Sequence, residues 1–393
     1  MFQYEIANGP DSRQRPAFGE RELSRLFRSL RIAVIHGGDK EDPGSVIYRS
    51  HNPRTWKSYE EVAGDIAAAL RRIGFRQVEL LPEDMRLGDR LRQARTHLAW
   101  LNSGGVQGYN PLCHAPALLE MLGMPYVGHS PLNASAFDNK HVFKRELVAA
   151  GLPTSRFMAW RGGGGAFRPH ETGRFHRAFG DYAGPFIAKP DSGRASLDVH
   201  VVDDVESLVD AVNAIYAKTR NLVLIEKYLP GREFCIGVAG PVVSRGGVLE
   251  HLGAPFAFSA VERHFDAGER IFTSMDVKPI TGRRFHAVDP EFEPELVEEL
   301  GALARKIYME FNCETLIRID LRSDDKGRLH ILEANPKPDL KQPGPDRTCL
   351  LSSGLARERM SYDDLIFSQI ANTLHLLLAD RKDTVPHIAA LVD

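Results

Sequence analysis

The stretch TLIRIDLRSDDKGRLHILEAN, residues 315–335, alternates apolar and polar side chains on either side of a polar break. Residues two apart in an extended strand share a face, so Arg318 and Asp320 project together, and so do Glu333 and Asn335. Ser323-Asp324-Asp325-Lys326-Gly327 has the composition of a hairpin turn, which folds the second strand back on the first. Two carboxylates, an amide oxygen and a guanidinium then converge. Asp, Glu and Asn are hard oxygen ligands that suit Mg2+, an ion commonly held by one or two carboxylates together with phosphate oxygens. Taken alone, the hairpin is equally compatible with a solvated surface carrying two salt bridges. The rest of the chain has to discriminate.

Composition narrows the choice. With 393 residues, 43% hydrophobic and 26% charged, the chain is expected to be soluble and globular, with two or three domains. Its 50 basic residues are balanced by 52 acidic ones without a long basic run, which argues against a general nucleic-acid binder. Cys113, Cys235, Cys313 and Cys349 are far apart, so neither a zinc site nor a disulfide framework is indicated, and a reducing cytoplasm fits best. No stretch approaches the roughly 20 apolar residues of a membrane span, and the N-terminus lacks a signal-peptide core.

Residues 1 to about 30 read as a charged prelude in which residues 20–31 form a short helix. Arg31 to Ile35 is a buried strand that ends in His36-Gly37-Gly38. Ser58 and Glu61 make a capping box for a helix through Val62, Ile66, Leu70 and Ile73, stopped by Gly74, and Val78 to Leu81 is the next strand. A strand, helix, strand unit of this kind builds a parallel sheet, so the first domain is α/β. A glycine-rich turn holds Gly104 and Gly105, and one helix is expected over residues 134–150, with Lys140 and Lys144 on one face. Beyond Gly162-Gly163-Gly164-Gly165, a strand ends on Lys189, which at such a position can reach a phosphate. Asp191 to Ser196 is a polar loop, and Leu222 to Ile225 is a buried strand running into Glu226-Lys227-Tyr228-Leu229.

In order, Lys189, Glu226-Lys227-Tyr228-Leu229 with Glu233, Arg318-x-Asp320 and Glu333-x-Asn335 resemble the ATP-grasp fold, in particular its D-alanine:D-alanine ligase branch. The similarity spans about 31–338, and His36-Gly37-Gly38, Gly104-Gly105, Pro125-Tyr126-Val127-Gly128 and Ala149-Ala150-Gly151-Leu152-Pro153 extend it through the first domain. It implies an α/β architecture: an extension over 1–30, a parallel-sheet substrate domain over 31–133, a central lobe over 134–229 and a C-terminal lobe over 230–393, with ATP between the two lobes. Lys140 and Lys189 would meet the phosphates and Ser196 would sit in a lid loop. Glu226 and the backbone of Lys227, Tyr228 and Leu229 would read adenine, and Glu233 would hold the ribose.

Asp320, Glu333 and Asn335 match magnesium ligands of the family, with Glu333 bridging two ions and manganese as the substitute metal. Arg318 matches the catalytic arginine. For substrate, the resemblance points to Asp42 (or Glu41) after Gly37-Gly38 and to Gly104 and Gly105, while Lys337, Lys341 and Arg347 offer a carboxylate site. The implied reaction converts a carboxylate to an acyl phosphate with ATP, and an amine then attacks it to give an amide. The implied partners are a small carboxylic acid, a small amine and a second copy of the chain in a homodimer, with neither nucleic acid nor membrane.

Two loops depart from the family pattern. Arg194-Ala195-Ser196 stands where the ligases have glycine and two serines, and Asp339 replaces a glycine in Pro336-Lys337-Pro338-Asp339. The sequence therefore predicts a carboxylate-amine ligase for amino-acid-like substrates. A true D-alanine:D-alanine ligase is the alternative, and a non-catalytic ATP-binding module is a second one.

Overall fold

The computed structural model describes residues 18–50, 56–171, 173–193, 196–271, 284–344 and 348–392. After helix α1 (Glu20–Ser29), strand β1 (Arg31–Gly37), helix α2 (Glu60–Ile73), strand β2 (Gln77–Glu83), helix α3 (Leu87–Gln93), strand β3 (Leu98–Asn102), helix α4 (His114–Met121) and strand β4 (Tyr126–Val127) alternate. The four strands form a parallel sheet in the order β2-β1-β3-β4, as the strand, helix, strand reading predicts. Helix α2 begins one residue later than its capping-box reading: Tyr59 is the cap, in the left-handed region at φ 56°, and makes no side-chain cap bond.

The expected single helix after β4 is two, α5 (Pro131–Asp138) and α6 (Lys140–Ala149), because Asn139 leaves the helical region at φ −95°, ψ 94°. Strands β5 (Phe157–Trp160), β6 (Phe186–Pro190), β7 (His200–Val202) and β8 (Val223–Lys227) form an antiparallel sheet ordered β5-β8-β6-β7. It is backed by α7 (Gly173–Phe179) and α8 (Val205–Thr219), whose Leu208, Val212 and Ile215 are buried against it. Gly162 is packed against α8, where an added Cβ would lie 2.2 Å from the Tyr216 ring, so the glycine run flanks this layer and does not line the cavity described below.

The last sheet is built on β9 (Glu233–Ala239), followed along the chain by the hairpin β10 (Val242–Arg245) and β11 (Val248–His251), then β12 (Phe256–Ala257), β13 (Val261–Arg263) and β14 (Phe285–Ala287). Helix α9 (Pro294–Glu310) leads into β15 (Ile317–Ser323) and β16 (Leu329–Asn335), giving the order β14-β13-β9-β15-β16 with β12 also on β9. Helix α10 (Tyr362–Asp380) starts at a Ser361–Asp364 capping box and is buried along most of its length between α2 and the β10–β11 hairpin. The short α11 (Pro386–Val392) packs on α1. Leu26 and Leu30 join the same core as Leu365 and Ile370, so residues 20–30 are part of the packed body. Among the described residues no helix is long and apolar enough to cross a membrane, and the four cysteines are unpaired thiols.

One buried group in the parallel sheet makes a pH prediction. Glu83 ends β2, and burial pushes its carboxyl up to about 7 against the opposing hydrogen bond from Ser103. The unfolded chain releases this proton near the ordinary 4.5 of a glutamate, so Glu83 subtracts stability as pH rises from about 4.5 to about 7. Glu83→Gln is expected to stabilise the protein by about 1–3 kcal/mol at pH 8 and by much less at pH 5. Urea midpoints at the two pH values check this, and an equal gain at both would refute it.

Candidate active site

A cavity of about 290 Å³ opens where the three larger of the four sheets meet. One wall comes from β6 and β8 (Lys189, Glu226), another from β9, β13, β15 and β16 (Glu233, Arg263, Arg318, Glu333). The third comes from the β1–α2 connection, which contributes Lys57 and Tyr59. Lys140, Ser196, Lys227, Tyr228, Leu229, Asp320, Asn335, Lys337 and Lys341 also line it, so most of the residues singled out from sequence are brought together.

The first wall is organised around a carboxylate. Glu226 is buried and accepts Lys144 on Oε1 at 2.6 Å and Lys189 on Oε2. Ser155 donates to the same Oε1 at 3.2 Å. Burial alone would raise the Glu226 pKa, but the two ammonium groups outweigh it and hold the carboxyl at about 2. Both side-chain oxygens of Glu226 are thus engaged by lysines. Lys144 was missed because a lysine four residues after another on a helix reads as solvated; here it is fully buried and also donates to Thr154 Oγ1 at 2.6 Å. Thr154 Oγ1 donates to the Ile331 carbonyl at 2.8 Å, which ties this network to the β16 strand.

The second wall is the hairpin quoted first. In the ladder Arg318 lies opposite Asn335 and Asp320 opposite Glu333, with a register irregularity after Asp320. Arg318 grips Asp320 with two hydrogen bonds of 3.0 and 3.1 Å, and Arg263 reaches the same carboxylate at 3.0 Å. Arg263 also donates to Glu233 at 2.8 Å, and Arg322 bridges Glu233 and the Tyr228 hydroxyl. The Lys140 ammonium lies 3.4 Å from Glu333. Partial withdrawal from water works against ionisation of Glu333, but Lys140, Lys189 and Arg318 hold its carboxyl down at about 2. Six cationic groups thus face four carboxylates, an excess that favours a polyanion such as a nucleotide's phosphates.

The donor set fits Mg2+ of the kind shared with phosphate. Among the described residues no group of three His, Cys, Asp or Glu is arranged to hold a metal by itself. Asp320, Glu333 and Asn335 supply hard oxygens on one wall, and the buried Asn335 Nδ2 has no hydrogen-bond partner. The two ends of an amide interchange by a flip, so this position can equally present an oxygen to a cation. A few protein oxygens completed by phosphate oxygens are what Mg2+ accepts.

Three of the substrate residues expected from sequence are placed elsewhere. Asp42 is exposed and does not line the cavity. Gly104 sits beneath the Tyr59 ring, where an added Cβ would be 2.9 Å from the ring edge, and Gly105, at φ 79°, would place a Cβ 2.2 Å from Pro111. Both glycines shape the wall from behind. Tyr59, missed from sequence, is the residue that Gly104 allows into the cavity, and the Asn102 side chain donates to its carbonyl at 3.1 Å. At the loop after β6, Asp191 and Ser192 are buried: Asp191 accepts from the His141 backbone at 2.8 Å and Ser192 donates to Asp138 at 2.8 Å. Arg194, Ala195 and Arg347 lie outside the described residues.

A cation-rich cavity enclosed between sheets, with a carboxylate-bearing hairpin facing Lys140 and Lys189, is the site of an ATP-grasp carboxylate-amine ligase. The model of the family D-ala D-ala ligase C-terminus matches residues 147–370, more than half of the chain, and the chain belongs to this family. It is 25% identical over 314 residues to a D-alanine–D-alanine ligase of Synechococcus sp. (strain JA-2-3B'a(2-13)), covering 78% of this chain and 88% of that protein. It is 27% identical over 237 residues to the uncharacterized protein y4sG of Sinorhizobium fredii (strain NBRC 101917 / NGR234), covering 60% and 64% respectively. A crystal structure of a D-alanine–D-alanine ligase from Bacillus anthracis complexed with ATP shares the fold, with a TM-score of 0.62, 19% identity and coverage of 90% of this chain and 98% of that one.

Proposed function

We propose that this chain joins the carboxylate of one amino acid to the amine of another at the expense of ATP, with D-alanine as the carboxylate donor. The observation that carries the reading is the position of Arg318, held by Asp320 in a cavity shared by the Lys189 wall, the hairpin wall and the Tyr59 wall. The family and the named ligase relative support the D-alanine–D-alanine reaction more strongly than the broader ligase class suggested by the departing loops.

In this reading the donor carboxylate oxygen attacks the γ-phosphorus, ADP leaves, and an acyl phosphate forms. The acceptor nitrogen then adds to the acyl carbon, loses a proton, and expels phosphate. Lys140 and Lys189 orient and neutralise the phosphates, chemistry that requires alignment and charge rather than a nucleophilic side chain. Arg318 stabilises the oxyanion in the addition step. The Tyr228-Leu229 segment and Ile271 close the nucleotide end, with Tyr228 donating to the Arg270 carbonyl at 3.1 Å. Asp320, Glu333 and Asn335 would hold Mg2+, which when bound offsets phosphate charge. The direct test is coupled phosphate release with ATP, Mg2+ and D-alanine, with the dipeptide identified by mass spectrometry. No phosphate release with D-alanine, alone or paired with any other amino acid, would remove the proposal.

A further inference from the structure

We propose that Asp191 is a positioning residue for phosphate binding: by capping helix α6 from the end of β6, it sets the spacing of the Lys140 and Lys189 ammonium groups. The inference rests on the ligase reading above, in which those two lysines meet the phosphates of ATP, and adds the residue that places them. The lysines come from separate elements, Lys140 from the first residue of α6 and Lys189 from β6. Their ammonium groups contact carboxylates on different walls, Glu333 for Lys140 and Glu226 for Lys189. Lys144 anchors the second turn of α6 through Glu226. The first turn, which carries Lys140, is fixed by Asp191.

This turn has no side-chain cap from its own N-terminal neighbour. The Asn139 side chain is used elsewhere, donating to Asn110 Oδ1 at 2.9 Å and to the Ser135 carbonyl at 2.7 Å. The cap arrives from 50 residues further along the chain. Asp191 Oδ1 accepts the His141 backbone N–H at 2.8 Å, and its Oδ2 lies 2.6 Å from His141 Nδ1. The Asp191 carbonyl accepts the Lys140 N–H at 3.3 Å. The two amide donors that open the helix are thereby satisfied, and a carboxylate sits where the helix dipole favours negative charge.

Asp191 is itself fixed on the sheet. It is 2% exposed, and its N–H donates to the carbonyl of Leu222, the residue before β8, at 2.8 Å. Its neighbour Ser192 donates to Asp138 at 2.8 Å and accepts from the Asn221 side chain on its carbonyl at 2.5 Å. Lys189 stands two residues before Asp191, separated from it by Pro190, whose ring restricts the backbone. The path from Lys140 through His141, Asp191 and Pro190 to Lys189 therefore contains little slack. Neither Asp191 nor His141 lines the cavity, so their effect on a nucleotide passes through the lysines. A fixed spacing lets both ammonium groups meet phosphate oxygens without first being ordered.

The test is calorimetric titration of a non-hydrolysable ATP analogue with Mg2+, and separately of adenosine, into the full chain and its variants. Adenosine reports the contacts to base and ribose, and the analogue adds the phosphates. Asp191→Ala is expected to raise the analogue's Kd at least about fivefold while that of adenosine stays within about twofold. Asp191→Asn keeps a capping oxygen of the same reach and is expected to hold the analogue's Kd within about threefold of wild type. Asp191→Glu keeps the charge but lengthens the tie by one methylene; its expected loss is also at least about fivefold, and it carries the test if circular dichroism shows the alanine variant unfolded. A smaller rise in the deciding variant, or an equal rise for adenosine, would assign Asp191 to stability alone and overturn the inference. Phosphate release with ATP and amino acids is measured in parallel on the wild type. A loss confined to the phosphate-bearing analogue, in a chain that releases no phosphate with any amino acid, would keep the positioning role and remove the ligase reading instead.

Discussion

Arg318→Ala is expected to lower kcat by about 10²–10³-fold while the Kd for ATP moves by less than about threefold. Arg318 is mostly withdrawn from solvent and its Nε and Nη2 are both held on the Asp320 carboxylate, so it waits in a fixed position for charge that develops only during reaction. A donor of this kind acts mainly in the transition state, and its loss therefore falls on turnover rather than on nucleotide binding. The fold should survive, because Arg263 remains 3.0 Å from Asp320 and keeps that carboxylate paired. Steady-state kinetics and ATP titration of one preparation make the comparison. Parallel losses in kcat and ATP affinity would assign Arg318 to holding the site together.

Glu226→Ala is expected to destabilise the protein by about 3–5 kcal/mol and to abolish saturable ATP binding. The substitution removes the only carboxylate that contacts both Lys144 and Lys189 among the described ion pairs, leaving two buried cations facing each other. Water cannot readily replace that anion around Lys144, which has no exposed side-chain surface. The pH dependence has a defined sign. Glu226 is held at about 2 against the ordinary 4.5 of a glutamate, so its contribution is fully present above about pH 4.5 and is lost as pH falls toward 2. Urea unfolding at pH 7 and at pH 3 measures this: the gap between wild type and variant should narrow at the lower pH. A gap that stays constant would mean that the carboxylate's charge is not what stabilises the cluster.

The parts of the site that were readable in advance share one property, which is that local periodicity fixes them. Arg318, Asp320, Glu333 and Asn335 follow from the two-residue repeat of paired strands, and Ser323 to Gly327 carry their own turn signal, with Gly327 at φ 79°. The parallel order of β1 and β2 follows from the helix between them. Lys144 escaped notice because helical spacing says which residues share a face and says nothing about what that face meets. Only contact with Glu226, Thr154 and Ser155 turns a lysine of ordinary appearance into a buried cation. At Gly104 the sequence shows that a glycine permits close approach, and the fold places the Tyr59 ring against it.

The sequence by itself determined the α/β order of elements, the hairpin with its oxygen-bearing side chains, and the succession of Lys189, Glu226, Glu233 and the 318–335 stretch that resembles the ATP-grasp ligases. These are properties of neighbouring residues, set by backbone periodicity and turn chemistry. The tertiary structure alone decided that Glu226 serves two lysines, that Asp42 stays outside the cavity, and that Lys337 lies over the Tyr59 ring. Burial and charge pairing arise between segments hundreds of residues apart, such as the Lys57 loop and the residues after Asn335. Their energies depend on distances that exist only once the three sheets have closed on one another.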